Sequence, residues 1–319
     1  MGVKNFNTLI KLLCPNAIKS ITIHELQNKR VAIDGTLWLY QIVCAVRKEN
    51  GDDVLNSKGE IVTLYYALYS RLMFLLSKKI SPVFVFDGKP PNLKDKTIKV
   101  RKEIKKKAQE KINNNEFTSE VEKAKLVQKC SHITVQDIVT TKQLLDTMGV
   151  TYIESPEEAD SQCAYLYKAG LVDYIISEDT DIIIFGGDRI IRNFRCSSNT
   201  YQLIDVEFLL KENNLNQRDI IIIAILLGCD YFPGVKGIGP KKILKMIACG
   251  ELELGELENN ALVTKILNYY LSPKVIQIEH IDKKQFNVEE TINFLKHKVE
   301  VDDKKLSQCH KRMKFFSVK

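Results

Sequence analysis

Short aliphatic runs punctuate the chain, and three of them end in carboxylates. Arg30–Ile33 leads into Asp34-Gly35, Ser81–Phe86 into Asp87-Gly88, and Val172–Ser177 into Glu178-Asp179-Thr180-Asp181. Short, mostly apolar runs of this kind read as buried strands. Between the first two, Ile61, Leu64, Tyr65, Leu68, Leu72, Leu75 and Leu76 fall at helical spacing after an Asn56–Gly59 turn. Strand, helix, strand predicts an α/β fold with a mostly parallel central sheet flanked by helices. In such sheets ligands bind beyond the carboxyl ends of the strands, where these acids fall.

Further along, Ser155-Pro156-Glu157-Glu158 has the pattern of a helix start, with a Ser cap, Pro first and Glu three residues after the cap; the helix is expected to run to Lys168 and stop at Gly170. Ile104, Ala108 and Ile112 step by four before a polar Asn113–Asn115 break, which predicts helices on a mobile, poorly cored insertion over residues 89 to 130. Near residue 230, an apolar helix gives way to Gly234-Val-Lys-Gly237-Ile-Gly239-Pro-Lys-Lys-Ile243. Glycines beside a helix start expose backbone N–H groups, which suits a phosphate. Beyond residue 250, Leu252, Leu254, Leu257 and Val275–Ile281 fit helices and loops packing on the core, with no role assigned.

Composition narrows the class. With 319 residues, 45% apolar and 27% charged, the chain reads as a folded globular protein. The longest aliphatic run, Ile220–Leu227, is far shorter than the roughly 18 residues that cross a bilayer. No membrane, secretory or lipid-anchor signal is recognised, so an intracellular site is expected. Eight cysteines lack C-x-x-C spacing, which excludes zinc knuckles and predicts reduced, mostly buried thiols. Four of them recur every 33 residues, but their surroundings share no pattern. The net charge of +7 matters more by its placement: Lys89 to Lys111 holds ten Lys or Arg against three acids, the whole excess. Such a cluster points to a polyanion partner.

Seven acids then sit at element ends: Asp34, Asp87, Glu158, Asp160, Asp179, Asp181 and Asp230. Each alone is an ordinary cap or strand-end residue. If the strands are adjacent and parallel, however, their ends converge, and gathered carboxylates require a counterion. Oxygen ligands without His or Cys select Mg²⁺ or Mn²⁺ over zinc, and two ions about 4 Å apart suit phosphodiester hydrolysis. Lys94 and Arg101 are placed to balance charge on a scissile phosphate. Residues two apart on a helix point about 200° away from each other. Glu158 and Asp160 therefore reach one site directly only if the helix start is irregular.

Met1-Gly2-Val3, "VAIDG", "VFVFDGKPPNLK", "SPEEADSQCAYLYKAG", "SEDTD" and "LLGCDYFPGVKGIGPKK" together resemble, in order and spacing, the flap endonuclease family of structure-specific 5′ nucleases. The resemblance covers about residues 1 to 250. It implies a PIN-like core (1–88 and 131–250), a helical arch at 89–130, a helix–two-turn–helix element and C-terminal helices over 251–319. It also implies that the seven acids hold two Mg²⁺ ions, with Mn²⁺ able to substitute. Lys94 and Arg101 would engage the scissile phosphate and Tyr40 would stack on the flap base, although an aromatic there is by itself more often core. Gly2, Arg47, Gly237, Gly239, Lys241 and Lys242 would contact DNA, with a K⁺ ion in the glycine turn. Asp160 departs from the Glu of close cellular relatives, which predicts shifted metal geometry.

A Mg²⁺-dependent 5′ flap endonuclease with 5′-3′ exonuclease activity is therefore expected, acting as a monomer on branched DNA where DNA is replicated, in the nucleus or at a viral site. The rivals are a related exonuclease or junction resolvase and a non-catalytic DNA-binding protein. The nucleotide-excision member needs an insertion longer than the 71 positions between Asp87 and Glu158. No sliding-clamp motif is found: before Phe315-Phe316, Cys309 and Arg312 stand where Gln and an aliphatic residue are required.

Overall fold

The computed structural model describes residues 2–45, 63–300, 306–309, 311 and 313. Arg47, the Asn56–Gly59 turn, Ile61, Arg312 and Phe315-Phe316 lie outside the described residues. In chain order the elements are α1 (Phe6–Leu13), β1 (Ile18–Thr22), β2 (Arg30–Asp34), α2 (Gly35–Ala45), α3 (Thr63–Ser77), β3 (Ser81–Phe86), α4 (Asp95–Asn113), α5 (Glu120–Cys130), α6 (Val135–Thr147) and β4 (Thr151–Glu154). There follow α7 (Ala159–Lys168), β5 (Tyr174–Ile176), α8 (Asp181–Ile184), β6 (Ile190–Arg192), β7 (Thr200–Ile204), α9 (Val206–Glu212), α10 (Gln217–Leu227), α11 (Pro240–Cys249), α12 (Ala261–Leu271) and α13 (Val288–His297). The strands form one mixed sheet of seven. None of the described helices is long and apolar enough to cross a membrane.

The chain divides into two compact units: Met1–Asp34 with Val85–Thr97 and Glu154–Glu279, and Gly35–Phe84 with Ile98–Ile153 and His280–Lys319. In the first unit the strands run β1-β7-β6-β5-β2. β2 pairs parallel with β5, Ile33 opposite Ile176, and β5 pairs parallel with β6. β6 with β7, and β7 with β1, are antiparallel. The expected parallel sheet therefore holds at its centre, where Val31, Ala32, Ile33, Ile175 and Ile191 are buried and the run is apolar on both faces. The third strand is shorter than its run, spanning Tyr174–Ile176, although Asp173 N–H still donates to Arg30 O of β2 at 2.8 Å.

The helix expected to start at Pro156, after a Ser155 cap, starts three residues later, at Ala159. Residues 155–158 instead run beside the end of β3: Ser155 N–H donates to Phe86 O at 2.8 Å, Gly88 N–H to Glu157 O at 2.7 Å and Lys89 N–H to Pro156 O at 3.3 Å. Backbone groups used in this pairing are lost to a helix. The first helical amide, Ala159 N–H, is capped at 2.9 Å by Asp87 Oδ1, from 72 residues away, rather than by Ser155. A side chain at position 88 would strike Ser155 O, since an ideal Cβ there lies 2.1 Å from it. Gly88 is thus required by close approach. The helix does end as expected, just before Gly170 at φ +70.

In the second unit α2 and α3 pack together, and Trp38 meets Phe84 edge-on at 5.4 Å. Thr134 and Asp137 form a capping box at the start of α6, and Phe294 of α13 meets Tyr65 of α3 at 6.4 Å. The insertion is helical and thinly cored, as its pattern predicts: Ala108 is the buried residue of α4 and Leu126 of α5, while Ile104 is 49% exposed. All eight cysteines are free thiols, but only Cys14, Cys163 and Cys309 are buried, fewer than expected. Cys44, Cys130, Cys196 and Cys229 are half-buried, and Cys249 is exposed.

Candidate metal centre

The parallel register that sets Ile33 opposite Ile176 also brings Asp34, at the end of β2, beside the segment that carries Asp179 and Asp181. Adjacent strands are about 4.8 Å apart, so these carboxylates share one sheet end. Asp87 joins them by capping α7. Glu158 is the residue before that helix, in an extended conformation (φ −91, ψ 139), and Asp160 lies in its first turn. Because Glu158 stands outside the helix, the 200° opposition of two helical positions does not apply, and the irregular start needed for both acids is present. Asp230 follows α10.

The electrostatics report the same convergence. Burial pushes the Asp160 carboxyl well above the usual range, helped by Asp179, Asp34, Asp181 and Glu158. Burial also raises Asp181 strongly, with Asp179 and Asp230 adding to it. Asp179 is raised by burial, against a stabilising hydrogen bond from the Asp181 amide. Buried Cys163, one turn beyond Asp160, feels Asp34, Asp160 and Asp87 together. All seven acids belong to one unit and one electrostatic neighbourhood.

Lys94 is a cation inside this neighbourhood. Its ammonium bonds to Glu158 Oε1 and lies 3.2 Å from Asp230 Oδ2, with 17% of the side chain exposed. Burial opposes the charge, but Glu158 and Asp230 outweigh it and hold the pKa above lysine's usual value. Thr97, one turn on, donates its hydroxyl to Asp230 O.

The pocket fits a hard divalent cation by two observations. Its donors are carboxylate oxygens, and Asp160 Oδ1 and Asp181 Oδ1 are buried without a hydrogen-bond partner. Buried polar oxygens are normally satisfied, and an anionic one is costly unless a cation meets it. Among the described residues no three His, Cys, Asp or Glu side chains are gathered tightly enough to chelate an ion as they stand.

The remaining expected residues fall as follows. Gly2 packs on the acid-bearing segment, where an ideal Cβ would lie 2.3 Å from Asp179 Oδ1, and Val3 N–H donates to Thr180 Oγ1 at 3.0 Å. Arg101 is exposed on α4, and Tyr40 is half-buried on α2, its hydroxyl donating to Gln128 O at 3.2 Å. Gly237 has φ +83 with open space around it, Gly239 precedes α11, and Lys241 and Lys242 are exposed on that helix's first turn. Three tyrosines escaped the sequence reading: Tyr231 and Tyr269 place hydroxyls on Glu158 Oε2, and Tyr270 on Asp181 Oδ2. Tyr231 adjoins Asp230, which is a usable signal; nothing local marks the other two.

Comparison with known proteins meets this geometry from outside. The XPG N-terminal domain model matches residues 1–108 and the XPG I-region model residues 149–230, spans that contain all seven acids, Lys94, Arg101 and Tyr40. Flap endonuclease 1 of Methanococcus aeolicus is 35% identical over 283 residues, 87% of this chain and 86% of its own. The chain belongs to the flap endonuclease family. Flap endonuclease 1 of Methanocaldococcus jannaschii is also 35% identical, over 86% of this chain and 85% of its own. Among solved structures, flap endonuclease-1 from Methanococcus jannaschii superposes with TM-score 0.75 at 32% identity, covering 94% of this chain and 96% of that one. The catalytic core of Rad2 in complex with DNA substrate gives TM-score 0.72 at 26% identity, covering 97% and 98%. Flap endonucleases are nuclease hydrolases, generally dependent on a divalent metal.

Proposed function

We propose that this flap endonuclease family member is a Mg²⁺-dependent nuclease that cuts 5′ flaps one phosphodiester into the duplex and trims 5′ ends. The observation that carries the reading is the electrostatic neighbourhood shared by the seven carboxylates, in which two buried oxygens lack partners and Lys94 supplies positive charge. Asp34, Asp87, Glu158, Asp160, Asp179, Asp181 and Asp230 would hold two Mg²⁺, or Mn²⁺. The ions would lower the pKa of an attacking water and stabilise charge on the phosphate.

The protein's own groups do the rest. Lys94 would offer its ammonium to the scissile phosphate, and Arg101 a bidentate donor. Tyr40 stacks on the base at the cut, a sequence-tolerant contact. The basic face of α4 guides the single strand. The Gly237 and Gly239 amides, with a K⁺ ion, and Lys241 and Lys242 hold the duplex backbone, as do Gly2 and Arg47 near the junction. Recognition through the backbone carries little base specificity.

A labelled 5′ flap incubated with pure protein and Mg²⁺ tests the reading. Cleavage one nucleotide inside the junction, stopped by EDTA and reduced at least 100-fold by Lys94→Ala, is expected (order of magnitude from loss of one charge-stabilising donor). No cleavage by folded wild-type protein would sink it. Digestion of nicked or four-way substrates with the flap left intact would favour an exonuclease or a resolvase instead.

A further inference from the structure

Helix α12 lies far along the chain from every acid but carries two of the hydroxyls that touch them. Tyr269 Oη lies 3.5 Å from Glu158 Oε2, across 111 residues, and Tyr270 Oη 3.4 Å from Asp181 Oδ2, across 89. Tyr231, beside Asp230, donates to the same Glu158 oxygen. The rings brace one another: Tyr231 stands 5.3 Å from both Tyr269 and Tyr270 at steep angles, and Phe185 packs 4.9 Å from Tyr270. Edge-to-face packing fixes each ring, and so the direction in which its hydroxyl points.

The hydroxyls divide each carboxylate into two ends. On Glu158, Oε2 takes the tyrosines and Oε1 faces Lys94. On Asp181, Oδ2 takes Tyr270 and Oδ1 is left buried with no partner. One oxygen is thus anchored by a tyrosine, while the other is met by Lys94 on Glu158 and has no partner on Asp181. This is how outer groups orient the carboxylate ligands of a metal.

We infer that Tyr231, Tyr269 and Tyr270 are positioning residues whose hydroxyls aim Glu158 and Asp181 at the ions, so that α12 sets the metal affinity of the centre. The inference rests on the metal reading above and assigns a task to a helix that the sequence leaves without one.

Tyr270→Phe tests it, because the ring and its packing stay and only the hydroxyl leaves. Mn²⁺ affinity is measured by calorimetry on metal-free full-length protein, with circular dichroism as the check on folding. The expected result is a Kd for Mn²⁺ raised about 10-fold, the low end for loss of an outer-shell partner, with cleavage recovered as Mn²⁺ is raised. Phe185→Leu, which keeps every hydroxyl but loosens the ring packed on Tyr270, is expected to raise Kd by less than Tyr270→Phe does. A folded Tyr270→Phe that binds Mn²⁺ as wild type does overturns the inference and leaves the metal reading standing. Wild-type protein that takes up no Mn²⁺ overturns both. If Tyr270→Phe does not fold, Tyr269→Phe puts the same question to Glu158, with the same two outcomes.

Discussion

Asp181 shows how one residue can work against the fold and for the chemistry. Burial and three neighbouring acids, Asp179, Asp230 and Glu158, raise its pKa in the folded protein. A carboxyl whose folded pKa lies above its unfolded one, about 3.9, stabilises the protein while protonated and destabilises it progressively as pH rises above that value. Asp181→Asn removes the charge with little change in shape. Its metal-free form is expected to melt a few degrees higher than wild type at pH 8, with a smaller gain at pH 5 (about 2–4 °C per kcal/mol for a unit of this size), while flap cleavage is abolished. Melts in EDTA at the two pH values check the first part; a variant that melts lower at pH 8 contradicts the electrostatic account. The identity of Asp181 as a candidate was legible in "SEDTD", since acids beyond a buried strand stand out. Its partner Tyr270 was not, because a hydroxyl on an amphipathic helix looks the same in sequence whether it meets water or a carboxylate.

At the scale of an element, α4 and α7 teach opposite lessons. α4 was readable because its signal is local: a run of lysines with few apolar positions can be helical and solvated without contacts elsewhere, and Ala108 alone is buried in its 19 residues. Lys99, Lys102 and Lys107 are exposed on it. If they contact a single strand, replacing all three by Ala lowers the slope of log affinity against log salt by about 2, at roughly 0.7 per phosphate contact. Fluorescence anisotropy between 50 and 200 mM salt (a convenient range for such slopes) measures it, and an unchanged slope removes α4 from the interface. α7 misled at its start because Ser-Pro-Glu-Glu is a sound capping pattern that loses to a stronger tertiary one. Backbone pairing with residues 86–89 and the cap from Asp87 move the first turn to Ala159, and that shift frees Glu158 to face the same pocket as Asp160.

For the whole molecule, the gathered acids make metal and stability one equilibrium. A ligand that binds only the folded state at 100 times its Kd adds about 2.7 kcal/mol per site. Mn²⁺ at that excess should therefore raise the melting temperature by several degrees over EDTA, and Asp34→Asn with Asp179→Asn should blunt the shift. A shift that survives both changes places the ions elsewhere. The sequence by itself determined the α/β class, the strands that deliver Asp34, Asp87 and Asp179, the basic helix and the family, because apolar runs, helical periodicity, charge clusters and spaced motifs are properties of neighbouring residues. The tertiary structure alone decided the antiparallel β1 and β7, the late start of α7, the seating of Lys94 between Glu158 and Asp230, and the approach of Tyr269 and Tyr270 to the acids. Those depend on which distant segments the hydrophobic core brings side by side, and once there, on which buried charge finds a partner.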